Sequence, residues 1–186
     1  MFLMSRTFPD QRRAAGLTLL EVMTVIVVIG ILAVLLYPAM GWYSERARRL
    51  ACAQNLKGLY TATSAHLNAS GGVWPQIPWS TTDQRVYARN WYDLLHPYGL
   101  AWSTFICPSV QQKAGNLDYT QAKYNRTDYI AAYFDDKAWT ARKWPKQPWF
   151  SERQSMHGSG QLLILTDGSL IDLDEARKLG QQPQAP

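Results

Sequence analysis

The chain has 186 residues, a formal charge of +5 and two cysteines, enough for one domain with a modest core. The charge is too mild to argue for a nucleic-acid partner, and none is expected: residues 1–16 carry a net +2, the rest only +3, and there is no arginine-rich run. Mean hydropathy is slightly negative, but the apolar excess sits near the N-terminus, whereas most of the 8 Trp and 10 Tyr lie after Gly72.

The first predicted element is a membrane span. Leu17 to Tyr37 is 21 residues with no proline and one charge, Glu21. At about 1.5 Å per residue it is ~31 Å long, close to the ~30 Å hydrocarbon core of a bilayer. Val25 to Ile29 and Leu32 to Leu36 are apolar on every side, whereas a helix on a soluble core keeps a polar face. A removable secretory signal has a shorter apolar core and a small-residue cleavage site. Pro38-Ala39-Met40-Gly41 offers only a poor match. Arg12 and Arg13 precede the span and Arg46, Arg48 and Arg49 follow it, so charge alone does not orient it.

Pro38 lacks an N–H and is expected to bend or interrupt the helix, which resumes from Ala39 to about Leu67. Over that stretch Cys52, Leu56, Leu59, Tyr60, Thr63 and Leu67 recur at helical spacing, with Gln54, Lys57 and Gly58 on the other side. Asn68 to Gly72 ends it with breaker residues. The head follows, within 69–180. Trp91 to Leu95 reads as a short helix closed by His96-Pro97. Asp128 to Phe134 is a candidate strand, and Gln161 to Thr166 is a buried strand. Asp167-Gly168 is a hairpin turn, with Ser169 to Ile171 returning. Asp172 caps a last helix with Glu175 three residues on, and Gly180 stands as its stop. Residues 181–186 form a polar tail, expected to be disordered. The fold class is therefore α+β, a long N-terminal helix packed on a small head with a short antiparallel sheet.

Arg12-Arg13-Ala14-Ala15-Gly16, then Leu17-Thr18-Leu19-Leu20-Glu21 and the apolar run, resembles the processing site of type IV pilins and type II secretion pseudopilins. The resemblance implies a pilin-like fold and a leader, residues 1–16, removed by a prepilin peptidase after Gly16. It implies methylation of the new terminus at Leu17 and a helix over 17–68 with 17–37 in the inner membrane. It also implies a periplasmic head and assembly with other pilin or pseudopilin subunits into a filament. Glu21 matches the family's acidic residue and Pro38 its helix-bending proline; Leu17 stands where the family usually has Phe. His157, nine residues, then Asp167-Gly168 resembles the H-X9-DG signature of certain prepilin-type proteins. Phe105 to Ser109 and Cys52 to Lys57 resemble further segments of that group.

A carboxylate in a span costs roughly 2.5–3.5 kcal/mol. In a filament of staggered helices Glu21 can meet the Leu17 amine of a neighbour. In a free subunit it can snorkel to the interface, about 6 Å from the helix start.

No catalytic residue is expected. His157 and Asp167 fall at opposite ends of an extended segment, more than ~20 Å apart at ~3.3 Å per residue. His66 and His96 have no ligand-spaced partner. Asp167, Asp172 and Asp174 are weak calcium candidates, but no oxygen-ligand loop of EF-hand spacing occurs, so no cofactor is expected. The aromatics are expected to pack the core and interfaces rather than line a sugar groove. Cys52 and Cys107 are a candidate disulfide in a head outside the cytoplasm. Closing that loop would contribute ~4 kcal/mol in a chain-entropy account; two separate buried thiols are the other outcome. The leading expectation is a structural filament subunit, the alternative a membrane-anchored extracytoplasmic binding or hydrolytic domain. Secretion, adhesion, motility and DNA uptake are not distinguished, nor a major from a minor subunit.

Overall fold

The computed structural model describes residues 18–78, 83–115, 117–155 and 160–181. The chain divides into two compact units, residues 1–42 and 43–186. Helix α1, Leu19–Ala69, begins in the first and continues in the second. Its backbone stays helical through Pro38, so the helix is not interrupted there. Proline removes one intrahelical donor, but the bonds of the neighbouring turns carry the helix on. In the first unit the apolar side chains from Leu19 to Tyr37 are exposed.

The second unit is organised by the other part of α1. Cys52, Leu56, Leu59, Thr63 and Leu67 are all buried, spaced three and four residues apart on one face. Gln54 and Lys57 are exposed on the other side. Gly58, expected with them, instead packs against the head: a Cβ there would lie 3.2 Å from Thr104 Cγ2. α1 ends where the Gly72 N–H turns back to the Leu67 carbonyl at 2.7 Å. Gly72 has φ 84°, and the Trp139 ring lies so close that a Cβ would overlap it at 2.4 Å. Only glycine serves there.

Helix α2, Gln84–Leu95, is longer than the Trp91–Leu95 segment expected. Asp83 caps it, accepting from the Arg85 N–H at 2.9 Å. A 3-10 turn, His96–Tyr98, follows, and α3, Pro108–Ala114, starts with proline at its first position. The sheet is a four-stranded antiparallel meander in the order β1 (Tyr129–Ala131), β2 (Pro148–Glu152), β3 (Leu162–Leu165), β4 (Leu170–Asp172). A short helix α4, Thr140–Lys143, precedes β2. Every residue of β3 is buried, as its unbroken Leu-Leu-Ile-Leu run predicts. α5, Leu173–Gln181, is capped by Asp172, which accepts from the Glu175 N–H at 2.8 Å. It runs through Gly180 rather than stopping there, since a lone glycine weakens a helix by only ~1 kcal/mol.

The core is aromatic. Trp74 meets Phe134, Trp149, Phe150 and Trp91 with ring centroids 4.8, 5.3, 6.0 and 6.1 Å away. Tyr92 stacks on Trp102 at 4.3 Å. Edge-on and offset pairs of this kind add to the burial of their large apolar area.

Candidate functional site

The two cysteines meet. Cys52 on α1 and Cys107, the residue that leads into α3, place their Sγ atoms 2.8 Å apart, and both are buried. The Asn55 amide, on the same stretch of α1, donates to the Ile106 carbonyl at 2.9 Å and to the Tyr129 hydroxyl at 3.2 Å. From the other side Asp128 Oδ2 accepts the Cys107 N–H at 2.8 Å and pairs with Arg126 at 3.1 Å. The buried Glu152 carboxylate accepts the Leu162 N–H at 2.9 Å, and one of its oxygens and both sulfurs lie within 4.8 Å of one another. A cavity of about 160 Å³ adjoins this cluster, lined by Cys107, Val110, Asp128, Glu152, Arg153 and Gln154. The hydrogen bond with Cys107, then burial, pushes the Cys52 thiol far up. Burial also raises Asp128, against the pull of the Cys107 N–H and Arg126. The sequence named the two cysteines but not Asn55, Asp128 or Glu152. Asn55 alone left a signal, one turn beyond Cys52 on the helix.

The head motif is divided. His157 lies outside the described residues. Asp167-Gly168 forms the β3–β4 turn, where Asp167 Oδ1 accepts from the Ser169 N–H at 2.9 Å and its hydroxyl at 2.6 Å. These bonds hold the Asp167 carboxyl below the usual range. The three calcium candidates have separate local uses: Asp167 in this turn, Asp172 at the α5 cap, Asp174 against Arg177 at 3.3 Å. Among the described residues the carboxylate and thiol groups that converge are those of Cys52, Cys107 and Glu152 instead. His66 meets the edge of Tyr98, with centroids 5.7 Å apart. His96 stacks on Tyr92 and places Nδ1 3.1 Å from the Leu100 carbonyl.

At the start of α1, Thr18 is the cap. Its Oγ1 accepts from the Glu21 N–H at 3.3 Å, and its carbonyl accepts from Glu21 and Val22 at 3.0 and 3.2 Å. Thr18-x-x-Glu21 is the spacing of a capping box. It puts the carboxylate in the first turn, where the helix dipole favours negative charge. Gly16 and Leu17 lie outside the described residues. From Leu19 to Tyr37 the helix is long and apolar enough to cross a membrane. Residues 11–37 match the prokaryotic N-terminal methylation motif. No curated protein and no solved structure matches the chain.

The methylation motif ends at Tyr37, the residue that closes the apolar segment. It therefore holds the basic pair Arg12-Arg13, the junction Gly16-Leu17, the cap Thr18 and the charge Glu21 in one stretch. That prepilin-type motif on an exposed apolar helix, followed by an α+β head, is the arrangement expected of a pilin or pseudopilin.

Proposed function

We propose that the protein is a structural subunit of a type IV pilus-like or type II secretion pseudopilus filament. Prepilin peptidase cleaves it after Gly16, and the new Leu17 terminus is methylated. The apolar helix holds it in the inner membrane with the head on the periplasmic side, and packs against neighbouring subunits on assembly. The observation that carries this reading is the match of residues 11–37 to the methylation motif, joined to a helix whose apolar side chains from Leu19 to Tyr37 are exposed. Such a surface needs lipid or other apolar helices around it.

Intact-mass analysis of the protein from membranes that contain a prepilin peptidase tests the first step. The expected species begins at Leu17 and carries one methyl group. Gly16→Leu is expected to retain Met1, because a bulky side chain crowds the peptidase subsite. A wild-type chain that keeps residues 1–16 in those membranes excludes the filament reading and leaves an anchored domain.

A further inference from the structure

We propose that Cys52 and Cys107 are joined by a structural disulfide that fastens α1 to the head, and that Asn55 and Asp128 are its positioning residues. The oxidising environment it needs rests on the periplasmic placement of the head.

The geometry is prepared from both sides. The cysteines are 55 residues apart in sequence, yet their sulfurs stand 2.8 Å apart. Asn55 holds the Ile106 carbonyl just before Cys107, and Asp128 holds the Cys107 N–H. Each hydrogen bond ties the Cys107 backbone to a fixed element, so the two sulfurs meet at high effective concentration. The Asp128 N–H in turn donates to the Phe105 carbonyl at 2.9 Å, closing the loop around Cys107.

The electrostatics favour a stable cross-link over a reactive or metal-bound pair. Reactive cysteines sit in electropositive surroundings that lower the thiol. Here the hydrogen bond with Cys107, burial and the Glu152 carboxylate push the Cys52 thiol up, and the nearby Arg126 is paired with Asp128. A sulfur that resists becoming a thiolate is a poor leaving group, so the bond once formed resists reduction. A metal would need both sulfurs as thiolates. Two sulfurs on one tetrahedral zinc also stand about 3.8 Å apart, given Zn–S bonds near 2.3 Å; this pair is already closer.

The oxidant is a protein or small-molecule disulfide. Cys107, which lines the cavity, attacks it first, forming a mixed disulfide and releasing one thiol. Once Cys107 is in the mixed disulfide it no longer raises the Cys52 thiol; Cys52 gives up its proton, its thiolate attacks Cys107 Sγ, and the second oxidant sulfur leaves and takes up a proton. Two electrons and two protons pass to the oxidant, which ends as two thiols.

The test uses the full chain in detergent micelles, equilibrated with glutathione buffers from fully reduced to fully oxidised, acid-quenched, alkylated and weighed. The expected product is a peptide pair linked through Cys52 and Cys107, two hydrogens lighter than the dithiol. Asn55→Ala and Asp128→Ala are each expected to lower the oxidation equilibrium constant roughly tenfold, while Gln54→Ala, on the exposed side of α1, leaves it unchanged. Two alkylated thiols across the whole range overturn the disulfide, as does one zinc ion per chain that shields both sulfurs until it is chelated. Unchanged constants in the Asn55 and Asp128 variants overturn their positioning role. Acid-trapped cells give the second arm. A pair that oxidises in micelles but is found as free thiols in cells upholds the disulfide chemistry and overturns the periplasmic placement.

Discussion

Gly168 lies against the ring of Tyr60. A Cβ at Gly168 would come 3.1 Å from Tyr60 Cε1, and the glycine has φ 78°. The Tyr60 hydroxyl donates to the Thr166 carbonyl at 3.0 Å, so one tyrosine of α1 holds the β3–β4 turn by ring contact and by hydrogen bond. The Asp167-Gly168 pair thus serves the docking of a hairpin on the helix. Gly168→Ala is expected to cost about 1–3 kcal/mol, from left-handed strain plus overlap with the ring. Tyr60→Phe should cost about 1 kcal/mol. Urea unfolding of each full-length variant in micelles measures both; a Gly168→Ala protein as stable as its parent rules out this account of the motif.

The elements legible in the sequence were those whose period matches one environment. The α1 face, the buried run of β3, the turn at Asp167-Gly168 and the Asp172 cap all follow from local rules. β2 was not legible. The register shifts between Pro148 and Phe150, and Trp149 and Phe150 are both buried. A bulge that turns consecutive side chains inward erases the alternation that marks a strand. The cluster around Cys52 was half legible. A cysteine on an apolar helix face announces itself, but Glu152 is only 3% exposed and glutamate is almost never buried without a partner. Its Leu162 N–H partner is brought close only by the sheet.

Trp149 supplies a second stability prediction. Its indole N–H donates to the Ala141 carbonyl at 2.7 Å, its ring packs 4.9 Å from Tyr60, and it is fully buried. Trp149→Phe keeps most of the apolar contact and leaves the Ala141 carbonyl unpaired, for an expected loss of about 1–3 kcal/mol. Trp149→Ala adds a cavity and should cost about 3–5 kcal/mol. Equal losses in denaturant titrations of the two variants would show that the hydrogen bond, not the packing, dominates.

Asp83 gives a pH-dependent prediction. The Arg85 side chain, at 2.6 Å, and the Arg85 N–H hold its carboxyl down to about 2, from an ordinary value of 3.8. A lowered carboxyl stabilises the folded state when ionised. The contribution is therefore complete above the ordinary aspartate range and is lost as pH falls from about 4 through about 2. The start of α2 should loosen in that window. Carbon NMR of the Asp83 carboxyl should show a midpoint near 2, and Asp83→Asn should keep the cap while removing the pH dependence of the Arg85 amide. A midpoint near 4 rules out the ion pair.

The last prediction concerns Glu21. Thr18 caps the helix through the Glu21 N–H, and the Glu21 carboxylate stands in the first turn, where the helix dipole favours negative charge. Thr18→Ala should cost the helix start about 1 kcal/mol, and Thr18→Ser should restore it. The larger effect belongs to assembly. Glu21→Val removes a charge that costs roughly 2.5–3.5 kcal/mol in the span, so insertion should persist or improve. In the filament, however, the Leu17 amine of a neighbour would meet no carboxylate, and an unpaired buried charge costs roughly 3–5 kcal/mol. Assembly should fail while the membrane pool remains. Glu21→Asp should fall between, because the charge survives but its reach shortens. Shearing filaments from cells and comparing subunit in the sheared and membrane fractions measures this. Normal filament yield from Glu21→Val excludes the charge pair as the driver of assembly, and loss of the subunit from both fractions assigns Glu21 to insertion or folding instead.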